Sequence, residues 1–220
     1  MNSISVVVDE YLKASGGEED YTAIEPDNYI LNILVKAVAN NQNVKIMLNT
    51  NENIALFSNH GEYFSQINNE KEFYTAKASD YTVTCLNPDQ IEVYRRKNGC
   101  GGNLDEAFWK AGMYLSKGRL IEPCKRDDVI ELIHWPNLTR LPSTPNTMAM
   151  AAFFSRYPTT ITLASRILKI SLPELFTFYS AAYKAGWVII HNHKPVVVPR
   201  LKPFKDKAFL SELLARITGL

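Results

Sequence analysis

Residues 143–198 read STPNTMAMAAFFSRYPTTITLASRILKISLPELFTFYSAAYKAGWVIIHNHKPVVV, and they predict three short helices followed by a hairpin. Thr144 and Pro145 suit a helix start, because threonine is a good cap and proline at the first helical position has no amide hydrogen to lose. Ser171 and Glu174 have the spacing of a capping box at the start of the third helix. Gly186 suits the end of that helix, since glycine tolerates the left-handed conformation there.

Two β-prone runs follow the third helix. Residues 187–190 and 195–198 are rich in valine and isoleucine, and residues 191–194 lie between them as a turn, which predicts a hairpin. Three helices and a hairpin resemble the winged-helix form of the helix-turn-helix domain. The resemblance rests on element order, caps and spacing, and it covers about a quarter of the chain. It implies a fold and leaves the function open, because one fold serves many functions.

The third predicted helix carries a single acid, Glu174, and a single base, Lys184. A helix that reads DNA needs polar or cationic side chains toward the base edges, together with cations against the phosphates. An aromatic, weakly charged surface is instead typical of a protein interface. We therefore predict that Phe176, Tyr179 and Tyr183 contact a protein partner. The alternative is that these aromatic side chains pack inside their own chain.

A DNA-binding regulator is the second hypothesis. The net charge of +1 gives the chain no global attraction to nucleic acid, so local cations would have to supply the phosphate contacts. The candidates beside the third helix and beyond the hairpin are Lys184, Lys194, Arg200, Lys202 and Lys205.

A nucleotide- or anion-sensing signalling module is the third hypothesis. Amides at a glycine-rich turn before a helix favour phosphate. Against this, Asp105 and Glu106 already complement the dipole of the following helix, and the segment matches neither the P-loop nor the dinucleotide-binding pattern. The commoner interpretation is a flexible linker. The candidate anion-binding residues are Arg95, Arg96, Lys97, Gly99, Gly101 and Gly102.

The rest of the chain predicts an α+β fold. Apolar residues have helical spacing after Asp27, alternate with other residues at 44–48, and form a second β-prone run at 54–57. This order indicates a small antiparallel sheet packed with one helix. We predict four parts: an α+β module (1–98), a helical linker and connector (99–142), a winged-helix-like domain (143–199), and a basic segment with an amphipathic final helix (200–220).

The composition, the apolar runs and the cysteine spacing indicate where in the cell the protein is found. Hydrophobic residues make up 46% of the chain and charged residues 21%, which is ordinary for a globular protein. No apolar run is long enough for a membrane span, so we predict no membrane insertion, and the first residues do not resemble a signal peptide. Three widely spaced cysteines without a C-x-x-C motif favour reduced thiols in a cytoplasm. We expect a regulatory protein of bacterial style.

The sequence predicts no catalytic residues, no metal site and no cofactor. His191 and His193 lack neighbouring ligands that would complete a metal site, and the cysteines lack a recognisable catalytic signature. We therefore predict a non-enzymatic regulatory or adaptor protein that uses a winged helix to bind an unidentified protein partner. The sequence leaves open whether the chain also forms a homodimer.

Overall fold

The computed structural model describes residues 23–48 and 52–192. These ranges contain seven α-helices and eight strands, and the strands form two antiparallel sheets. The mixture of helices and antiparallel sheet confirms the predicted α+β class. The predicted basic segment and final amphipathic helix (200–220) lie outside the described residues.

The first sheet contains five strands. They are β1 (Asn43–Leu48), β2 (Asn53–Phe57), β3 (Glu62–Gln66), β4 (Tyr81–Cys85) and β5 (Gly102–Asn103). Their order across the sheet is β4-β1-β2-β3-β5. Ile46 of β1 lies opposite Ile54 of β2 and, on its other side, opposite Val83 of β4. The alternating apolar residues of β1 point to one face of the sheet, as the period of a strand requires. Strands β1 and β2 confirm the predicted strands at 44–48 and 54–57.

Helices cover both faces of this sheet. They are α1 (Ile30–Ala39), α2 (Glu70–Thr75), α3 (Gln90–Asn98) and α4 (Leu104–Ser116). On one face, α1, α2 and α4 bury a core that includes Leu34, Ile46 and Phe108. On the other face, α3 covers a smaller cluster that includes Phe57 and Ile91.

The rest of the described chain contains a three-stranded second sheet and three more helices. The elements are β6 (Val129–Leu132), α5 (Thr147–Phe154), β7 (Thr159–Thr160), α6 (Ile161–Leu168), α7 (Leu172–Lys184) and β8 (Val188–Ile190). The three predicted helices are therefore present, and so is the first strand of the predicted hairpin. The described partner of β8 is β6, with Ile130 opposite Ile190, and the strand order is β7-β6-β8. Residues 195–198 lie outside the described residues, and the winged-helix resemblance stays a prediction.

The helix caps agree only partly with the sequence pattern. Thr160 caps α6, because its side-chain oxygen accepts a hydrogen bond from the Leu163 amide at 3.3 Å. Gly186 has the expected left-handed conformation, with φ of 73°. The predicted capping box of α7 is absent, since the Ser171 side chain makes no cap hydrogen bond. Glu174 instead accepts hydrogen bonds from the Asn146 amide and side chain, at 3.0 and 2.9 Å.

Helix α4, which falls in the predicted helical linker and connector (99–142), packs into two cores. Leu104, Phe108 and Leu115 belong to the core beneath the first sheet, whereas Trp109 of the same helix belongs to the core around α7. Trp109 is fully buried and stacks on Trp187 with a centroid distance of 5.0 Å. Because one helix contributes to both cores, residues 104–116 join the two halves through packing.

Candidate protein-interaction surface

The aromatic side chains predicted to contact a partner are buried in the core around α7. Phe176 and Tyr179 have no exposed surface, and Tyr183 is 7% exposed. The prediction that they form an exposed interaction face is wrong, and the alternative of packing within their own chain is correct. The physical reason is that a helix with apolar residues on all sides is normally a buried helix.

A buried polar cluster fixes the middle of α7. The Tyr179 hydroxyl donates a hydrogen bond to the Asp128 carboxylate, which also accepts one from the Lys125 amide at 2.8 Å. Burial raises the pKa of Tyr179 far above its usual range, so its hydroxyl keeps its proton. Burial likewise raises the pKa of the neighbouring Cys124 to about 12. A nucleophilic cysteine needs its thiolate form, so Cys124 is a structural residue.

Helix α7 cannot enter a DNA groove in this conformation, because each of its residues is buried or only partly exposed. Lys184 is partly exposed, and its amino group donates to the Glu122 carbonyl at 2.5 Å and lies over the Tyr183 ring. Burial lowers the pKa of Lys184. Lys184 thus has a partner within its own chain, and its role as a DNA contact stays a prediction. The other four candidates, Lys194, Arg200, Lys202 and Lys205, lie outside the described residues.

The predicted anion-binding segment is engaged within the chain. The Arg95 guanidinium pairs with the buried Glu62 carboxylate and also donates to Glu92 at 3.0 Å. A Cβ placed on Gly101 would lie 2.8 Å from the Tyr63 carbonyl oxygen, and one on Gly102 would lie 2.4 Å from the Tyr63 ring. These glycines thus allow β5 to approach β3 closely, and the charge of Arg95 is already balanced. Arg95, Gly101 and Gly102 therefore have structural roles within the chain, and the anion site stays a prediction.

Arg96, Lys97 and Gly99 are exposed and do not share the contacts of Arg95. Lys97 borders an open cleft of about 220 Å³ between α3 and the first sheet. Two lysines and three side-chain amides give this cleft a weakly cationic character. Its lining residues are Lys45, Asn53, Gln66, Val93, Tyr94, Lys97 and Asn98.

Helix α6 presents the exposed apolar pair that sequence reasoning missed. Leu163 is 48% exposed and Ile167 is 55% exposed, and their spacing of four residues places both on one face of the helix. Ile161 and Ala164 are fully buried on the opposite face. The sequence signal was available, because the apolar positions of this helix are too many for a single buried stripe.

Three cations lie close to this apolar pair in sequence. Arg156, Arg166 and Lys169 are exposed, and residues 155–173 contain no aspartate or glutamate. Arg166 lies on α6 itself, whereas Arg156 and Lys169 lie before and after it in sequence. We call the side chains of Leu163 and Ile167, with these three cations, the α6 surface.

Comparisons with known proteins identify no relative of this chain: no family model, curated protein or solved structure matches it. Within residues 23–48 and 52–192, no three His, Cys, Asp or Glu side chains are grouped to hold a metal ion. None of the seven described helices combines the length and apolarity needed to cross a bilayer.

Proposed function

We propose that this chain is a non-enzymatic, cytoplasmic regulatory or adaptor protein whose helical half binds a protein partner through the α6 surface. The observation that carries the proposal is the exposure of Leu163 and Ile167 on a helix whose other face is fully buried. Aliphatic side chains left in water at adjacent positions of a rigid helix are typical of an interaction site.

The energetics favour a protein partner. Complete burial of a leucine or isoleucine side chain is worth about 1.5–3 kcal/mol. Leu163 and Ile167 are about half exposed, so covering the pair would contribute on the order of 1.5–3 kcal/mol in total. That is the scale of an interface hot spot.

Helix α6 holds the pair in place before binding. Thr160 caps the start of the helix, and the Ser165 hydroxyl donates to the Ile170 carbonyl at 2.7 Å beyond its end. Ile161 and Ala164 anchor the helix in the core. Because the side chains are presented on an ordered element, binding costs less conformational entropy than it would for a loop.

The charges of the α6 surface indicate the chemistry of the partner. An apolar groove rimmed by aspartate or glutamate would match Leu163 and Ile167 at the centre and Arg156, Arg166 and Lys169 around them. Rim charges mainly affect association rate and salt dependence, so we expect binding to weaken modestly with salt.

A DNA-binding regulator remains the second candidate, favoured by the three cations and the absence of acids over residues 155–173. Two observations disfavour it: α7 is covered, and two aliphatic side chains occupy the centre of the α6 surface. The salt dependence separates the candidates. Binding to duplex DNA would fall steeply and log-linearly with salt, because each neutralised phosphate releases counterions.

The test compares partner recovery by three forms of the tagged full-length chain: the parent, the double variant Leu163→Gln/Ile167→Gln, and the control Val93→Gln. Val93 is 63% exposed on α3, so the control makes the same kind of change away from α6. Glutamine keeps the helix propensity high, so all three forms should fold.

We expect quantitative mass spectrometry of cross-linked eluates to find a protein that the parent and Val93→Gln retain equally. The double variant should recover it at least about tenfold less, the loss that corresponds to 1.4 kcal/mol. Equal recovery by the double variant, with its unfolding temperature unchanged, would remove α6 as the binding surface.

A further inference from the structure

We propose that a second copy of this chain pairs with strand β4 across a two-fold axis, joining the two five-stranded sheets edge to edge. Strand β4 is at one end of the first sheet and, among the described strands, hydrogen-bonds only to β1. Its residues 82–85 are exposed. This inference is independent of the α6 surface, which lies in the other half of the molecule.

The ladder with β1 determines which groups of β4 point outward. The Leu86 amide donates to the Asn43 carbonyl at 2.8 Å, so Leu86 and Asn43 form a hydrogen-bonded pair. Such pairs alternate along an antiparallel ladder, so Thr82 and Thr84 also direct their backbone groups toward β1. Val83 and Cys85 therefore direct their amides and carbonyls outward. The Tyr81 carbonyl also points outward, whereas the Tyr81 amide donates to the Ala78 carbonyl within its own chain.

Strand β4 lacks the features that protect exposed sheet edges. Natural edges are shielded by charged side chains, prolines, bulges or very short strands. The five residues of β4, YTVTC, contain no charge, no proline and no glycine, and their register with β1 is continuous. At the other end of the sheet, β5 has only two residues. The edge suited to pairing is thus β4.

The residue pattern of β4 is self-complementary. Antiparallel pairing centred on Val83 overlaps the whole strand. It places the Val83 amide against the Val83 carbonyl of the second copy and the Cys85 amide against the Tyr81 carbonyl of the second copy. Val83 then lies opposite Val83 of the second copy, and Thr82 lies opposite Thr84 of the second copy. Valine and threonine pairs stabilise cross-strand contacts, and no like charges face each other. The interface is isologous, as a two-fold dimer requires.

The size of the interface sets the strength of the dimer. Stable interfaces bury about 1,600 Å² in total. A single five-residue strand pair buries less than that, so the dimer is reversible and depends on protein concentration.

The first test is sedimentation equilibrium of the full-length chain from micromolar to near-millimolar concentration, with Val83→Lys as the variant and Val93→Lys as the control. Both valines are exposed, at 45% and 63%, so neither change should unfold the chain. Only Val83→Lys places two lysines directly opposite each other in the dimer. We expect the parent and Val93→Lys to dimerise equally, and Val83→Lys to raise the dissociation constant at least about tenfold. A monomeric parent, or unchanged dimerisation of Val83→Lys, would overturn the proposal.

The second test reads the register through disulfide formation in a Cys85→Ser/Cys100→Ser background, which removes the two exposed cysteines. Directly opposite residues of a hydrogen-bonded pair have Cα atoms about 5.5 Å apart, within the range that a disulfide spans. Val83→Cys should therefore cross-link to its own copy under mild oxidation, whereas Thr84→Cys, which faces Thr82, should do so much more slowly. Equal cross-linking by the two variants would contradict the register.

Discussion

Gly112 of α4 lies directly against Ala181 of α7, so closely that a Cβ placed on Gly112 would be 2.7 Å from the Ala181 Cα. The same added atom would be 3.1 Å from the Ala181 backbone nitrogen and 3.3 Å from the Ser180 carbonyl oxygen. These neighbours are backbone atoms, which cannot rotate away as a side chain can. The absence of a side chain at Gly112 therefore lets the two helices approach, and this contact joins the halves of the molecule.

We predict that Gly112→Ala destabilises the chain, although alanine is the better helix former by about 1 kcal/mol. The new methyl group overpacks the helix contact, which typically costs about 1–3 kcal/mol. Because its neighbours are backbone atoms, we expect the upper end of that range and a net loss of about 1–2 kcal/mol. Urea unfolding monitored by tryptophan fluorescence measures the change. Ala181→Gly should not rescue it, since the close atoms belong to the backbone. A Gly112→Ala chain more stable than the parent would show that the helices do not approach this closely.

A second prediction concerns Ser180, whose hydroxyl accepts a hydrogen bond from the Ile121 amide at 3.0 Å in a buried site. Ser180→Ala leaves that amide without its partner, and a buried unsatisfied donor costs about 1–3 kcal/mol. Ser155→Ala is a suitable control, because the Ser155 hydroxyl bonds to the Ala152 carbonyl at an exposed position. Chemical denaturation should show a large loss for Ser180→Ala and a small one for Ser155→Ala. Equal losses would argue against the buried bond.

A third prediction concerns how the free energy of unfolding decreases as the pH falls, and the role of Glu174 in that decrease. Burial of Glu174 opposes its ionisation, but hydrogen bonds from Thr144 and Asn146 outweigh burial and lower the pKa of its carboxyl group. A carboxyl group with a lowered pKa in the folded state stabilises the fold above its unfolded pKa. That contribution is lost as the pH falls through the folded pKa.

We therefore expect Glu174→Gln to reduce the stability at neutral pH and to flatten its decline in acid. Thermal unfolding between neutral and acidic pH measures both effects. Parallel profiles for the parent and Glu174→Gln would indicate that the hydrogen bonds to Asn146 do not favour the carboxylate.

A fourth prediction separates the three thiols. Cys85 and Cys100 are exposed, whereas Cys124 is buried and burial raises its pKa to about 12. Iodoacetamide needs an accessible thiolate, so it should modify Cys85 and Cys100 in the folded chain and leave Cys124 unmodified until urea is added. Peptide mass spectrometry reads each site. Rapid alkylation of Cys124 without denaturant would contradict the burial of this region.

The local elements of this fold follow from the sequence, because their causes are local. Alternation in residues 44–48 predicts β1, and helical spacing with a glycine at position 186 predicts the extent of α7. The role of α7 does not follow in the same way. A helix with few charges suits both an interface and a core. Whether α7 is exposed or buried depends on α4, which lies about 70 residues earlier in the chain and packs against it.

Long-range partners also explain why the sequence does not reveal the contacts of Arg95 and Glu174. Arg95 is paired with Glu62, which is 33 residues away in sequence, and no local pattern reveals that pairing. Glu174 has the right spacing from Ser171, yet it binds Asn146, 28 residues earlier. In both cases a tertiary contact satisfies a charged group that the sequence leaves unpaired.

Hydroxyl-radical footprinting of the free full-length chain tests most directly whether α6, and not α7, presents exposed apolar side chains. Radicals modify side chains in proportion to their exposure, so we predict strong oxidation of Leu163 and Ile167 and strong protection of Phe176 and Tyr179. Protection of Leu163 and Ile167 together with oxidation of the α7 aromatics would contradict the proposal and restore α7 as the interaction surface.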